Sequence, residues 1–135
     1  MKTAFVAGFS PIVRDLDSSR KFYRDGFGLP LGEGDYSSTE SLPGVKHFGL
    51  WKLSDAARSC FGTNEWPANL PVPQACLEFD VEIADAVKPA TDELAGKGYR
   101  ILTGPKTEPW GQIVARLLSP EGLLVGVTYT PWMHR

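Results

Sequence analysis

The feature that most constrains this chain is an internal repeat. An apolar strand, a capped helix, a glycine stop and a further strand run from Phe5 to Leu31, and the same order returns from Ala75 to Leu102. Val13-Arg14-Asp15-Leu16 answers Val81-Glu82-Ile83-Ala84, and Gly28-Leu29 answers Gly98-Tyr99. Each copy offers one helix and three or four strands, too little to bury a face of its own, so the two must share one core. The expected architecture is α+β: two βαβββ modules, residues 1–62 and 74–135, with sheets curled around a shared cleft and joined by a Pro-rich linker over 63–73. At 135 residues and 42% hydrophobic content, the chain has material for one such domain.

Within the first copy, a strand over Phe5–Val13 should pass into a helix over Ser18–Phe27, with Asp17 or Ser18 accepting the first free amides. Gly26 and Gly28 supply its stop. Gly32–Gly44 reads as a long hairpin tip or loop, Val45–Leu53 as a strand and Ser54–Phe61 as a brief helical turn. In the second copy, Ala75–Val81 alternates. Leu77, Phe79 and Val81 are expected on a buried face, while Cys76, Glu78 and Asp80 look into something polar. The helix that follows should start nearer Val87 than Ala84, because Pro89 is tolerated only in a first turn. Tyr99–Leu102 is expected as a short strand and Thr103–Pro109 as a loop.

The chain ends in a hairpin. Gln112–Leu118 and Leu123–Tyr129 are apolar and β-prone, and Ser119-Pro120-Glu121-Gly122 between them has Pro where a tight turn fixes φ and Gly where it needs a positive one. Pro109 and Gly111 hold the indole of Trp110 at the strand entrance. A large flat side chain placed there either fills a core or stacks on a ligand.

Composition removes several functions. A net charge of −2 with no basic or acidic block argues against nucleic acid and membrane surfaces as partners. The apolar start, Ala4–Ala7, is cut off by polar residues from Ser10 to Arg14, so neither a signal nor a spanning segment is expected and a cytoplasmic location follows. Cys60 and Cys76 have neither CxxC spacing nor the density of a disulfide scaffold, and reduced thiols are the expectation.

The paired modules, the Asp15-Leu16-Asp17 helix start followed by Phe22-Tyr23 and Gly28-Leu29-Pro30, and the run from Glu108-Pro109-Trp110-Gly111 to Ser119-Pro120-Glu121-Gly122 together resemble the vicinal oxygen chelate superfamily, and within it the glyoxalase and bleomycin-resistance group. The resemblance covers nearly the whole chain and implies a homodimer. It also implies a cleft in which His, Gln or Glu side chains hold a divalent metal. Counted from the shared landmarks, those ligand positions fall here on Gly8, Cys76 and Gly126. Glycine coordinates nothing, and a single thiolate is a poor partner for Mg, Mn or Fe. The resemblance therefore implies neither metal nor cofactor in this chain, unless Cys76, Glu78 and His47 rebuild a displaced site.

Without a metal, the cleft works by shape, stacking and charge. Trp110 is the first expected wall, as in drug-binding relatives, followed by Trp51 and Trp66 with Phe61 behind them. Core packing is an equal reading for Trp51. Glu78 and Asp80 would offer negative charge to a cationic guest. His47 is the one histidine near a cleft strand, His134 reads as a tail residue, and Trp132 as cover for a sheet edge or partner subunit. The expected function is sequestration of a flat aromatic or cationic small molecule, as in antibiotic resistance. The alternative is a superfamily enzyme, a lyase, isomerase or dioxygenase, either metal-dependent or metal-free with Glu78 or Asp80 as general base.

Overall fold

The computed structural model describes residues 1–134. Seven strands form one open mixed sheet. They are β1 (Phe5–Val13), β2 (Ser37–Thr39), β3 (Phe48–Lys52), β4 (Ala75–Asp80), β5 (Ile101–Thr107), β6 (Ile113–Leu118) and β7 (Leu124–Tyr129). The order across the sheet is β2-β3-β1-β4-β7-β6-β5. The repeat is visible in the pairing: β1 runs parallel to β3, β4 runs parallel to β7, and the two halves meet antiparallel along β1 and β4. The α+β expectation holds. The second half shows βαβββ in full, whereas the first has three strands, because the chain turns at Leu29–Leu31, where the Leu31 amide bonds Leu29 O at 2.8 Å, and does not join the sheet.

Helix α1 (Leu16–Arg20) starts earlier than the sequence suggested and continues as a wider turn over Lys21–Gly26. The cap is Asp15, not Asp17 or Ser18. It keeps the extended backbone of the strand it follows, and its carboxylate accepts from the amides of Asp17 at 3.1 Å and Ser18 at 3.4 Å. Helix α2 (Leu53–Phe61) is a full helix closed by Gly62 at φ 74°, not a brief turn. Helix α3 (Val87–Gly96) begins at Val87, as Pro89 required, after a single tight turn over Ala84–Ala86.

Three clusters make the core. Val13, Leu31 and Leu50 pack with Leu16 and Tyr23 beneath α1. Val81, Val87, Ala90, Ala115, Leu117 and Val127 pack beneath α3. On the opposite sheet face, Trp51, Ala56, Cys60, Cys76 and Leu124 gather under α2. At about 25 cal/mol per Å² of apolar surface, each fully buried Leu or Val in these clusters contributes roughly 1.5–3 kcal/mol.

Two expectations change here. Cys76 and Asp80 of β4 are sealed while Glu78 between them is partly open, and of the three residues expected on the buried face Val81 is buried but Leu77 and Phe79 are only half-buried. The reason is helix placement: α1 packs on β3 and α3 on β5, β6 and β7, so among the described residues neither helix makes an extended contact with the outer face of the central β1–β4 seam. Thr103–Pro109 is also not a loop, since β5 extends to Thr107. Pro105 is tolerated because β5 is an edge strand. Gly104, at φ +88°, makes the bulge that brings the backbone against Val114 and Ala115 without a side chain between them. The C-terminal hairpin closes as expected, with Ser119 N–H bonded to Leu123 O at 2.9 Å and Gly122 at φ +92°.

Candidate functional site

A cavity of about 680 Å³ opens on the α2 side of the sheet and is lined from both halves of the chain. Strand parity explains its floor. Ser10 of β1, Glu78 of β4 and Arg116 of β6 all point to that side, and Trp51 of β3 stands beside them. The Glu108–Gln112 turn, closed by Glu108 N–H to Gln112 O at 2.8 Å and Gly111 N–H to Glu108 O at 2.9 Å, sets Trp110 at the mouth. The closing turn Pro131–Met133 brings Trp132 and Met133 to the same wall.

The floor is a buried ion pair. Arg116, 1% exposed, donates from Nη1 to Glu78 Oε2 at 2.9 Å and to Cys76 Sγ at 3.3 Å, and from Nε to Ser59 Oγ at 3.1 Å. Its guanidinium carbon lies 4.7 Å from the centre of the Trp51 ring, close enough for a cation–π contact. Ser59 Oγ donates in turn to Glu108 Oε2 at 3.1 Å, and Glu108 pairs with Lys106 at 3.3 Å. Gln112 Nε2 donates to Glu78 Oε1 at 3.0 Å and to Thr130 Oγ1 at 2.9 Å, while its own oxygen accepts from the indole N–H of Trp110 at 3.0 Å. Among the described residues no fully buried side-chain nitrogen or oxygen lacks a partner.

A second chain of contacts borders the cavity through Tyr36, His47 and Trp132. Tyr36 Oη and His47 Nε2 share a hydrogen bond of 2.6 Å, and their rings stack at 5.7 Å. His47 Nδ1 is 3.2 Å from Glu40 Oε2, which also accepts from the Trp132 indole at 3.2 Å. Tyr36 is 42% exposed, but desolvation of its hydroxyl end, which lies against Gly49, raises the phenol well above its usual range.

The residues expected from sequence divide accordingly. Trp110, Trp51, Glu78 and His47 all line the cavity, and Trp51 also belongs to the core cluster. Trp110 remains 50% exposed. Cys76 lies beneath the floor as an acceptor for Arg116. Trp66 and Phe61 do not line it: their rings meet edge to face at 5.0 Å against the α2 cluster, and the Trp66 indole donates to Pro71 O at 2.9 Å, which pins the linker. Asp80 is withdrawn as well. It is 0% exposed, and its carboxylate accepts from Thr128 Oγ1, from the amide and hydroxyl of Thr130 at 2.7 and 2.9 Å, and from His134 Nε2 at 2.7 Å if that nitrogen carries the proton. His134 is thus no loose tail, since it also stacks on Tyr129 at 4.4 Å.

A divalent metal does not fit this donor set. Gly8 and Gly126 flank Glu78: a Cβ on Gly8 would stand 3.7 Å from Glu78 Oε1, and one on Gly126 would stand 3.2 Å from Glu78 Cγ and 3.5 Å from Arg116 Nη1. The ground beside Gly126 is filled by the Glu78–Arg116 pair, whereas a side chain at Gly8 would be in ordinary contact with His47 and Glu78. Burial pushes the Cys76 thiol up to about 12, the neighbouring guanidinium only partly offsets this, and its sulfur already accepts from Arg116 at 3.3 Å, so a cation there would face a guanidinium. Among the described residues no group of three His, Cys, Asp or Glu converges as a metal site would need, so Cys76, Glu78 and His47 do not rebuild one.

Sequence reasoning missed Arg116, Gln112, Ser59, Tyr36, Lys106 and Glu108. A signal existed for Arg116, the one charge inside the apolar run Ile113–Leu118, because a charge there is buried and must be paired.

Comparison with known proteins agrees with this architecture. A sequence model of the Glyoxalase/Bleomycin resistance protein/Dioxygenase superfamily matches residues 9–127. No curated protein matches the chain significantly. Among solved structures, a glyoxalase/bleomycin resistance protein/dioxygenase superfamily member from Vibrio splendidus 12B01 is 16% identical with a TM-score of 0.59, covering 93% of this chain and 98% of its own. An NAD-dependent benzaldehyde dehydrogenase from Legionella pneumophila is 14% identical with a TM-score of 0.60 over 90% and 96% of the two chains. A Streptomyces coelicolor methylmalonyl-CoA epimerase variant bound to 2-nitronate-propionyl-CoA is 15% identical with a TM-score of 0.56 over 96% of each. At these identities the likeness is one of fold.

Proposed function

The chain belongs to the Glyoxalase/Bleomycin resistance protein/Dioxygenase superfamily, and from that premise we propose that it is a small-molecule binding protein of the bleomycin-resistance type, sequestering a flat organic compound without a metal. The observation that carries this reading is the cavity itself. About 680 Å³ falls within the roughly 300–1,000 Å³ of ordinary small-ligand sites, and Trp51, Trp110, Trp132 and Tyr36 stand around it. A guanidinium paired with Glu78 occupies the ground beside Gly126, where a coordinating side chain would stand. The cationic guest considered from sequence has weaker support than the flat one, because Glu78 is already paired and Asp80 is sealed.

Titration with planar aromatic compounds, read by quenching of tryptophan fluorescence, tests the reading. Trp110→Ala should weaken binding about tenfold through lost stacking while leaving stability nearly unchanged, since the indole is half-exposed. Absence of quenching by any planar compound would sink the proposal. Conversion of a bound compound to product would replace sequestration by catalysis, with Glu78 as the base that remains in reach.

In the same reading the protein acts as a homodimer. Support comes from the bare outer face of the β1–β4 seam, where Val6 and Phe9 are exposed beside half-buried Leu77 and Phe79. Sedimentation equilibrium reads the mass directly, and a monomer at micromolar concentration would contradict it.

A further inference from the structure

Arg116 presents an unused edge to the cavity. Its Nε and Nη1 are committed to Ser59, Glu78 and Cys76, whereas Nη2 has no partner among the described residues. Among those residues no side-chain nitrogen without a partner is fully sealed, so Nη2 keeps a small accessible surface within the 1% exposure of Arg116, a residue that lines the cavity. The guanidinium cannot turn away. Three hydrogen bonds fix its plane, and the Trp51 ring lies against it. A rigid, uncommitted N–H donor is thereby left at the floor of an aromatic-walled space.

Charge bookkeeping then narrows the guest. The lining carries Arg58, Lys106 and Arg116 against Asp55, Glu78 and Glu108. Each cation has a carboxylate nearby: Arg58 and Asp55 at 3.8 Å, Lys106 and Glu108 at 3.3 Å, Arg116 and Glu78 at 2.9 Å. A guest with net charge of either sign would bring an uncompensated charge into a partly dry site. A neutral oxygen acceptor meets the free donor without that penalty. We infer that the cavity selects an uncharged planar ketone or quinone, its carbonyl oxygen accepting from Arg116 Nη2 while its rings lie against Trp110 and Trp132. This rests on the sequestration reading and names the ligand class within it.

Four probes of similar shape separate the possibilities: 9-fluorenone, which has the carbonyl; fluorene, which lacks it; fluorene-9-carboxylate, an anion; and proflavine, a cation. The expected result is that fluorenone binds about tenfold or more tighter than fluorene, the gain of a hydrogen bond from a charged donor. Both charged probes should bind more weakly than fluorenone. The carbonyl stretch of bound fluorenone should move to lower frequency. Replacing the pair together, Glu78→Leu with Arg116→Met, should erase the preference for fluorenone over fluorene. The infrared measurement on the native protein decides the matter even where that variant fails to fold. Equal affinities for fluorenone and fluorene, an unshifted carbonyl stretch, or preference for a charged probe would each overturn the inference and leave sequestration standing. Failure of all four probes to bind would overturn both.

Discussion

Glu78→Leu isolates the central interaction of this molecule. The substitution deletes the carboxylate 2.9 Å from Arg116 and leaves a guanidinium that is 1% exposed. What remains to it is Ser59 Oγ, Cys76 Sγ and the Trp51 face. Removing one member of a buried pair costs about 3–5 kcal/mol, because the other charge stays desolvated without compensation. Two features place the expected cost at the lower end. The cation–π contact survives and contributes about 1 kcal/mol, and the cavity reaches the Glu78 side chain, which is 18% exposed. Gln112 is not orphaned, because Nε2 keeps Thr130 Oγ1 at 2.9 Å. The expected loss is therefore about 3 kcal/mol, which for a domain of this size lowers Tm by roughly 12 °C. Adding Arg116→Met removes the stranded charge and should return stability to within about 1 kcal/mol of the starting protein. Urea unfolding and thermal melts of the two single variants and the double variant complete the cycle. A Glu78→Leu cost below about 1 kcal/mol, or a double variant no better than the single one, would refute the claim that the floor is held by charge pairing.

Asp80→Ala should have the opposite signature to Trp110→Ala. It strands Thr128, Thr130 and His134 donors in a sealed site and should cost about 3 kcal/mol or more, with ligand affinity unchanged; a loss of affinity without loss of stability would put Asp80 back in the binding site. Alkaline pH probes the two thiols. Burial raises Cys60 to about 11 and Cys76 to about 12 from an ordinary value of 9.0. The folded state therefore holds protons that the unfolded state releases between pH 9 and about 11 to 12. The thiols' contribution is intact below pH 9 and is lost as pH rises through that window, by roughly 2 kcal/mol per thiol at pH 10.5. Cys60→Ala with Cys76→Ala should flatten that part of the pH dependence of urea unfolding, and an unchanged slope would contradict the burial of the thiols.

The sequence by itself determined the repeat, the hairpin at Ser119–Gly122, the start of α3 at Val87 and the family, because each rests on local signals: strand periodicity, a turn that needs Pro and Gly, and the rule that Pro89 sits only in a first turn. It also put glycines and a thiol at Gly8, Gly126 and Cys76, where the resemblance implies ligands. Only the tertiary structure decided what took their place. Arg116, Glu78 and Ser59 come from β6, β4 and α2, and their meeting depends on sheet order and helix placement, which no local pattern encodes. For the same reason Glu78 and Asp80, two residues apart on one face of one strand, differ in access: the cavity reaches Glu78, whereas Thr128, Thr130 and His134 close over Asp80. Alternation along β4 gives the direction of a side chain; the elements packed against it determine whether it meets a ligand or a hydroxyl group.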